Sequence, residues 1–181
     1  MTTQTAQQFD TIITHCRELF HQKTQDYGTA WRILRLPSIT DQVYIKAARI
    51  RSIQEKGKQR IPDQIEDEFV GIINYCLIAL MQIDLKEEER LTLPTEEVLR
   101  YYDKQATQVR ELLFSKNHDY GEAWRSMRVS SITDIILMKL IRIKQIEDNE
   151  GNTLASEGVE GGYRDMINYA VFSLILLEFN G

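Results

Sequence analysis

Cysteine is scarce in this sequence, which has only Cys16 and Cys76 among its 181 residues. The two residues form no Cys-x-x-Cys pair, and both lie in apolar patterns with helical spacing. Such cysteines are typical of buried thiols in a protein of a reducing compartment. The sequence therefore gives no indication of a disulfide-stabilised secreted domain.

Long hydrophobic runs are also missing. The longest apolar stretches, Val70 to Ile83 and Tyr169 to Leu177, are too short and too often interrupted to span a bilayer. The first residues contain neither a basic segment nor an apolar segment of the kind that a signal peptide requires. We therefore expect a cytoplasmic protein without a membrane partner.

An excess of positive charge is absent, because the formal net charge is −5. Nucleic acids and anionic membranes attract cationic proteins, so neither is an expected partner. A small anionic ligand remains compatible with this charge if a local basic cluster receives it. With 43% hydrophobic residues, 27% charged residues and only three prolines, the composition is that of a soluble globular protein rich in helix formers.

Several well-known catalytic motifs are missing as well. The three histidines, His15, His21 and His118, show no His-Glu-x-x-His or other ligand spacing, which disfavours zinc. No G-x-S-x-G element, P-loop or Rossmann glycine pattern occurs. Classical nucleophilic hydrolases and P-loop kinases are therefore excluded.

What the sequence does contain is a long internal repeat. Residues 23–32 recur at 116–125, about 93 residues later, with the shared pattern Lys-x-x-Asp-Tyr-Gly-x-Ala-Trp-Arg. The match continues outward, since Ser-Ile-Thr-Asp at 38–41 recurs at 131–134 and Asn-Tyr at 74–75 recurs at 168–169. The chain is therefore one module used twice, as a first repeat over residues 1–88 and a second over residues 89–181.

Each repeat is predicted to form three helices. Apolar spacing predicts a first helix near residues 7–24, which should end at Asp-Tyr-Gly because Gly28 can adopt the left-handed conformation. The second helix should start near residue 39, with Ser38 or Thr40 as its N-cap. Pro62 suits the first turn of a third helix that runs to about residue 83, and the second repeat supplies residues 158–179.

The third helix of each repeat is apolar on nearly all sides, so it should be buried on more than one face. Packing the two third helices against each other would bury these extra faces. We therefore predict an all-α fold, in which a tandem duplication of a three-helix module packs as a helical bundle with pseudo-two-fold symmetry.

One face of the third helix is a candidate acidic site. Residues three apart share this face, and they are Glu68 and Gly71 in the first repeat but Gly162 and Asp165 in the second. Each repeat thus holds half of a Glu-x-x-Asp pair, and the halves would combine if the two faces meet. The alternative is purely structural, with Glu68 a solvated acid and Asp165 a carboxylate paired with a nearby lysine or arginine.

The second helices carry the basic counterparts Lys46, Arg49, Lys139 and Arg142. Paired cations near carboxylates are suited to hold a phosphate chain bridged by Mg²⁺, because this ion prefers hard oxygen ligands. The alternative is a set of salt bridges on the helix surface.

The Asp-Tyr-Gly turn, followed three residues later by Trp, is the most specific local pattern. Asp26 and Asp119 are candidate ligands of a metal ion or of a sugar hydroxyl, and the tyrosine or tryptophan rings could stack on a base. As structure alone, the pattern forms a helix end with two aromatic plugs.

The string Lys-x-x-Asp-Tyr-Gly-x-Ala-Trp, with a later Lys-x-x-Arg-Ile and a closing Asp-x-x-Asn-Tyr, resembles the nucleotide modification associated domain of the first type. The first repeat departs from the family pattern at Gly71, where the family has an acid. The resemblance covers both repeats and implies a nucleotide ligand. The second repeat matches best, through Lys116, Asp119, Tyr120, Gly121, Trp124, Lys139, Arg142, Asp165, Asn168 and Tyr169.

That family in turn looks like a distant relative of the all-α nucleoside triphosphate pyrophosphatases, the MazG and dimeric dUTPase group. Those helical bundles hold Mg²⁺ with Glu-x-x-Glu on one helix and Glu-x-x-Asp on the next. Here the Glu-x-x-Glu position holds a Lys-x-x-Arg pair in both repeats. The resemblance therefore implies the fold and a nucleotide ligand more strongly than it implies hydrolysis.

The leading hypothesis is a MazG-like nucleotide-binding protein, whose enzymatic version would be a Mg²⁺-dependent pyrophosphohydrolase. In that version, Glu68 and Asp165 are catalytic and hold the metal together with Asp26 or Asp119. The substrate contacts are Lys46, Arg49, Lys116, Tyr120, Trp124, Lys139 and Arg142. The competing hypothesis is a catalytically inactive helical module for nucleotide sensing or protein assembly. A homo-oligomer is compatible with either.

Overall fold

A computed structural model describes residues 2–57, 64–152 and 158–179, without the side chains of residues 3, 118–120 and 179. The described chain is helical, with no strand, which confirms the predicted fold class. Two short 3₁₀ turns, Ala30–Ile33 and Ala123–Ser126, follow the first helix of each repeat. The six helices are α1 (Thr3–Tyr27), α2 (Leu36–Lys56), α3 (Ile65–Asp84), α4 (Thr95–Tyr120), α5 (Val129–Asp148) and α6 (Val159–Phe179).

The centre of the bundle is formed by α3 and α6, which pack against each other. The helices α2 and α5 pack on this pair and on each other, and α1 and α4 complete the bundle from outside. The predicted burial of the third helix is confirmed, because twelve residues of α3 are buried. The buried side chains of both repeats form one continuous core, so the repeats pack as a single unit.

Contacts between the repeats occur in equivalent pairs. Arg17 Nε donates to Asp103 Oδ1 at 2.6 Å, and Arg110 Nε donates to Asp10 Oδ1 at the same distance. Arg17 is equivalent to Arg110 and Asp10 to Asp103, so the arginine of each repeat donates to the aspartate of the other. Reciprocal contacts of this kind are what an isologous arrangement of the halves would produce.

The predicted start of α2 was wrong. The helix begins at Leu36, with Arg35 as an N-cap that makes no side-chain hydrogen bond. Thr40 lies one turn inside the helix, where its hydroxyl donates to the carbonyl oxygen of Leu36 and lies 2.6 Å from the hydroxyl of Tyr163. The Thr40 hydroxyl therefore contributes to the contact between α2 and Tyr163 and does not cap the helix. Pro62, predicted in the first turn of α3, lies outside the described residues.

The predicted burial of the two cysteines is confirmed. Cys16 and Cys76 are free and buried, and burial raises the pKa of the Cys16 thiol to about 12. The helix α4 begins at Thr95 with Glu96 and Glu97 in its first turn, where acidic side chains are favourable. None of the described helices is long and apolar enough to cross a membrane.

Glu147 is a partly buried acid near Thr40. Both carboxylate oxygens are inaccessible to solvent and have no hydrogen-bond partner within normal geometry. Burial raises the pKa of Glu147, and the nearby Thr40 hydroxyl and Lys144 offset this only in part, while Asp41 and Asp148 raise it further. The equivalent residue of the first repeat is Gln54, whose amide donates to the Thr133 hydroxyl at 3.1 Å.

We predict that Glu147→Gln stabilises the protein at neutral pH by about 1 kcal/mol, because it replaces a desolvated, charged carboxylate by a neutral amide. Since the folded-state pKa is raised, the parent should lose stability as pH rises above the ordinary glutamate value of 4.5, and the variant should not. Chemical denaturation over a pH series measures this, with Glu111→Gln, at an exposed glutamate, as the control. Equal pH slopes for parent and Glu147→Gln would contradict the prediction.

Candidate functional site

The first helix of each repeat ends at its Asp-Tyr-Gly sequence, as predicted. Gly28 and Gly121 have φ of +62° and +66°, values that L-residues with side chains rarely adopt, and their N–H groups bond to the carbonyl four residues earlier. The 3₁₀ turn that follows directs each tryptophan back toward the bundle. This geometry confirms the helix end and places Trp31 near α3 and Trp124 against α6.

A cavity of about 770 Å³ lies in the first repeat between α1, the first 3₁₀ turn, α2 and α3. We call it the first-repeat cavity. Its volume is in the range of small-molecule sites. Its lining combines apolar, aromatic and charged side chains from Leu19, Phe20, Lys23, Thr24, Tyr27, Ala30, Trp31, Leu34, Lys46, Asp67, Glu68, Asn74, Tyr75 and Ile78, together with Gly28 and Gly71.

The charged groups of this cavity come from three helices. Glu68 is buried, and its carboxylate accepts a hydrogen bond from Arg49 at 2.8 Å while Lys46 Nζ lies 3.7 Å away. The ammonium of Lys23 makes no ion pair or hydrogen bond with any side chain that the structure describes. Asp67 is exposed beside Glu68. The cavity therefore contains two lysines without a close hydrogen bond to a carboxylate. Lys23 is unpaired among the described side chains, and Lys46 is 3.7 Å from Glu68.

The second repeat pairs its cations differently. Asp165 accepts hydrogen bonds from Lys116 at 2.8 Å and from Lys139 at 2.9 Å, the residues equivalent to Lys23 and Lys46. Burial alone would raise the pKa of Asp165, but the two lysine hydrogen bonds outweigh it and hold the pKa below its ordinary value. Both lysines are thus already neutralised by a carboxylate of the protein.

The glycines at the two missing acid positions explain this difference. A Cβ at position 71 would lie 2.7 Å from Cδ and Cε of Lys46, so the lysine side chain occupies the space of the absent acid. A Cβ at position 162 would lie 2.8 Å from Cδ1 of Ile143, a buried core residue. Each glycine thus makes room for a neighbouring side chain of its own repeat.

The aromatic residues of the repeats also differ. Trp124 is buried and stacks on Phe172 with ring centroids 4.3 Å apart, and the Arg125 guanidinium lies 4.4 Å from its ring. The position equivalent to Phe172 in the first repeat is Ile78, which lines the first-repeat cavity. A base could stack on Trp124 only by displacing one of these neighbours. Trp31 has no equivalent stacked partner among the described residues.

Glu68 and Asp165 share no ion-pair partner among the contacts that the structure shows, since Glu68 pairs with Lys46 and Arg49 and Asp165 pairs with Lys116 and Lys139. The first-repeat cavity is lined by no residue after Ile78. The combination of the two acids into one site stays a prediction. Among the described side chains, no group of three or more His, Cys, Asp or Glu residues is placed to hold a metal ion. Asp26 is exposed and does not line the cavity. The side chains of Asp119 and Tyr120 lie outside the described residues.

Sequence reasoning placed some cavity residues correctly and missed others. The shared face of Glu68 and Gly71 does line the cavity. Lys23 was missed, although it is the repeat equivalent of Lys116, which the sequence did single out. Arg142 is exposed and makes no ion pair with described residues, because Gly162 stands where the first repeat has Glu68, the partner of Arg49.

These observations define a class of protein, an all-helical tandem repeat in which each repeat sets lysines and an acid beside an Asp-Tyr-Gly turn. The model of one family, nucleotide modification associated domain 1, matches residues 23–83 and again residues 116–177. The chain belongs to this family and carries two copies of its domain. No curated protein and no solved structure matches the chain. The distant likeness to all-α pyrophosphatases stays a prediction.

Proposed function

We propose that this protein binds a nucleotide in the first-repeat cavity. The observation that carries the proposal is the combination of an aromatic wall with an unpaired lysine in one cavity of about 770 Å³. This volume accommodates a nucleotide. The family description, which names nucleotide modification, is consistent with a ligand of this class.

The aromatic wall suits a nucleobase. Tyr27, Trp31 and Tyr75 line the same cavity, and Tyr27 is 74% exposed, so its ring is available for contact. Base stacking on aromatic rings is favourable and tolerates different bases. The indole Nε1 of Trp31 is buried and has no hydrogen-bond partner, which makes it a donor that a bound ligand can satisfy.

The two lysines suit a phosphate group. Lys23 has no competing carboxylate among the described side chains, and Lys46 lies 3.7 Å from Glu68, beyond normal hydrogen-bond length. Charge-assisted hydrogen bonds from such lysines to phosphate oxygens are stronger than bonds between neutral groups. The phosphate end of the nucleotide would therefore lie between α1 and α2.

The described residues do not form a preassembled Mg²⁺ site of three carboxylates. They do fit an ion that arrives with the nucleotide, because Mg²⁺ is commonly held by one or two carboxylates together with substrate phosphates. Asp67 and Glu68 are the carboxylates that line the cavity. When bound, the ion would supply neutralisation of phosphate charge.

Pyrophosphate hydrolysis is a second candidate function, favoured by the position of Glu68 in the wall of the cavity that also holds Lys23 and Lys46. Arg49 donates a hydrogen bond to this buried carboxylate and Lys46 lies 3.7 Å from it, and the carboxylate would orient an attacking water. A screen of nucleoside mono-, di- and triphosphates with Mg²⁺ and Mn²⁺ tests it. Turnover that Glu68→Gln removes supports hydrolysis, whereas calorimetric binding without turnover supports the inactive sensing module.

Lys23→Ala is predicted to weaken nucleotide binding about tenfold, because one charge-assisted hydrogen bond to phosphate is lost. Lys116→Ala is the matched control, since the equivalent lysine is already paired with Asp165. Its affinity should stay within about twofold of the parent in isothermal titration calorimetry. If the two variants lose affinity equally, the first-repeat cavity is not the nucleotide site.

A further inference from the structure

A second cavity, of about 270 Å³, lies where the end of α3, the middle of α4 and the first turn of α6 meet. We call it the junction cavity. It shares no lining residue with the first-repeat cavity. Its walls are formed by Leu80, Ile83, Asp84, Lys86, Lys104, Gln105, Gln108, Glu160 and Arg164.

Gln105 is the unusual residue of this cavity. It is 5% exposed, and its Nε2 donates a 3.3 Å hydrogen bond to Asp84 Oδ2, while its Oε1 is buried and has no partner. Turning the amide over would set Oε1 against the carboxylate, so Asp84 fixes the orientation in which Oε1 lacks a donor. A buried acceptor without a donor is destabilising, and such groups are rare in native proteins.

The repeat shows that the fold does not require this glutamine. The equivalent position in the first repeat is Ile12, an apolar core residue that is 2% exposed. The positions equivalent to Lys104 and Arg164 are Thr11 and Val70, which carry no charge. The polar and cationic character is therefore particular to the junction cavity.

One cation in the lining of the junction cavity has no acidic partner among the described residues. Lys104 pairs with Asp84 at 2.8 Å, and Arg164 pairs with Glu160 at 3.1 Å. The exposed Lys86 makes no ion pair with any described residue. With three cations and two acids, the lining has one excess positive charge, which favours a small anion.

We propose that the junction cavity binds a small oxyanion that carries a hydroxyl donor, of which inorganic hydrogen phosphate is the simplest. The anion accepts hydrogen bonds from the Lys86 ammonium, and its P–O–H group donates to Gln105 Oε1. Sulfate has the same shape but no proton to donate at neutral or mildly alkaline pH. The cavity therefore prefers phosphate to sulfate, and Gln105 is the residue that makes the distinction.

The test compares the two anions by calorimetry and by amide chemical shifts of residues 84–86 and 104–108, at mildly alkaline pH and constant ionic strength. Under these conditions the two anions carry nearly the same charge and differ in one hydroxyl proton. The measurements use the full chain with Lys23→Ala, which removes the unpaired cation of the first-repeat cavity. The result is thus independent of the nucleotide proposal.

We expect phosphate to bind about tenfold more tightly than sulfate, the value of one hydrogen bond to a charged ligand. Gln105→Ile, which copies the residue of the first repeat, should remove this preference without lowering the thermal midpoint. The exposed Lys86→Ala, which cannot disturb the core, should weaken both anions. Equal affinities of the parent for phosphate and sulfate, or unchanged phosphate binding in Lys86→Ala, would overturn the proposal.

Discussion

Replacing Gly71 by aspartate is expected to abolish nucleotide binding in the first-repeat cavity, with an affinity loss of at least about a hundredfold. The equivalent Asp165 shows the cause, because it accepts hydrogen bonds from both lysines of the second repeat at 2.8 and 2.9 Å. A carboxylate at position 71 would neutralise Lys23 and Lys46 in the same way. Isothermal titration calorimetry with the best-binding nucleotide measures the effect.

The variant should remain folded. The atoms nearest to a Cβ at position 71 belong to the end of the Lys46 side chain, which can rotate away at small cost. We expect the free energy of unfolding to stay within about 1 kcal/mol of the parent, as for most substitutions that create no rigid clash. If the Gly71→Asp variant binds nucleotide as tightly as the parent, Lys23 and Lys46 do not hold the phosphate.

Gly162→Glu is the matched control, since it restores the other half of the acid pair. Its Cβ would lie 2.8 Å from Cδ1 and 3.0 Å from Cγ1 of Ile143, a β-branched side chain that is 1% exposed in the core. Overpacking at such a position costs about 1–3 kcal/mol. This variant should therefore lose stability in chemical denaturation and retain nucleotide affinity, the opposite of Gly71→Asp.

Trp124→Ala is expected to be the most destabilising single substitution considered, with a loss of about 3–5 kcal/mol of unfolding free energy. Trp124 is 6% exposed and stacks on Phe172, so its removal leaves a large void beside α6. Trp31→Ala should cost clearly less, because Trp31 is only partly buried and lines a cavity. It should instead weaken nucleotide binding through the lost stacking surface.

Urea denaturation of the two alanine variants, followed by calorimetry on the folded one, measures both effects. Conservative replacement of each tryptophan by phenylalanine provides the control, since a smaller ring preserves part of the packing and stacking. Equal destabilisation by Trp31→Ala and Trp124→Ala would contradict the assigned difference between an open cavity wall and a filled core.

Much of the fold could be predicted from the residue pattern. Helical spacing located the helices to within a few residues, and the two Asp-Tyr-Gly sequences marked the ends of α1 and α4 because only glycine readily adopts a positive φ there. The apolar character of the third helices indicated their central position. The start of α2 was placed too late, because Thr40 lies inside the helix, where its hydroxyl bonds to the carbonyl of Leu36 and contacts Tyr163, a residue 123 positions away.

The residues of the candidate site could be predicted from the sequence, but their contacts with one another could not. The repeat identified the lysines and acids, but their pairing depends on which side chain fills the space beside each glycine. Lys46 fills it at Gly71 and Ile143 fills it at Gly162, and neither contact follows from sequence spacing. The composite acidic site was inferred from complementary gaps and stays a prediction, while the structure shows that Glu68 and Asp165 have different ion-pair partners.

By itself, the sequence determined that this protein is a duplicated all-helical module and which residue types each copy contributes. The tertiary structure alone decided that Lys23 stays unpaired beside a cavity in the described part of the first copy, whereas Lys116 and Lys139 pair with a carboxylate in the second. The physical reason is that helix periodicity is a local property of consecutive residues, whereas ion pairing and cavity filling depend on distances of a few ångströms between side chains far apart in the chain.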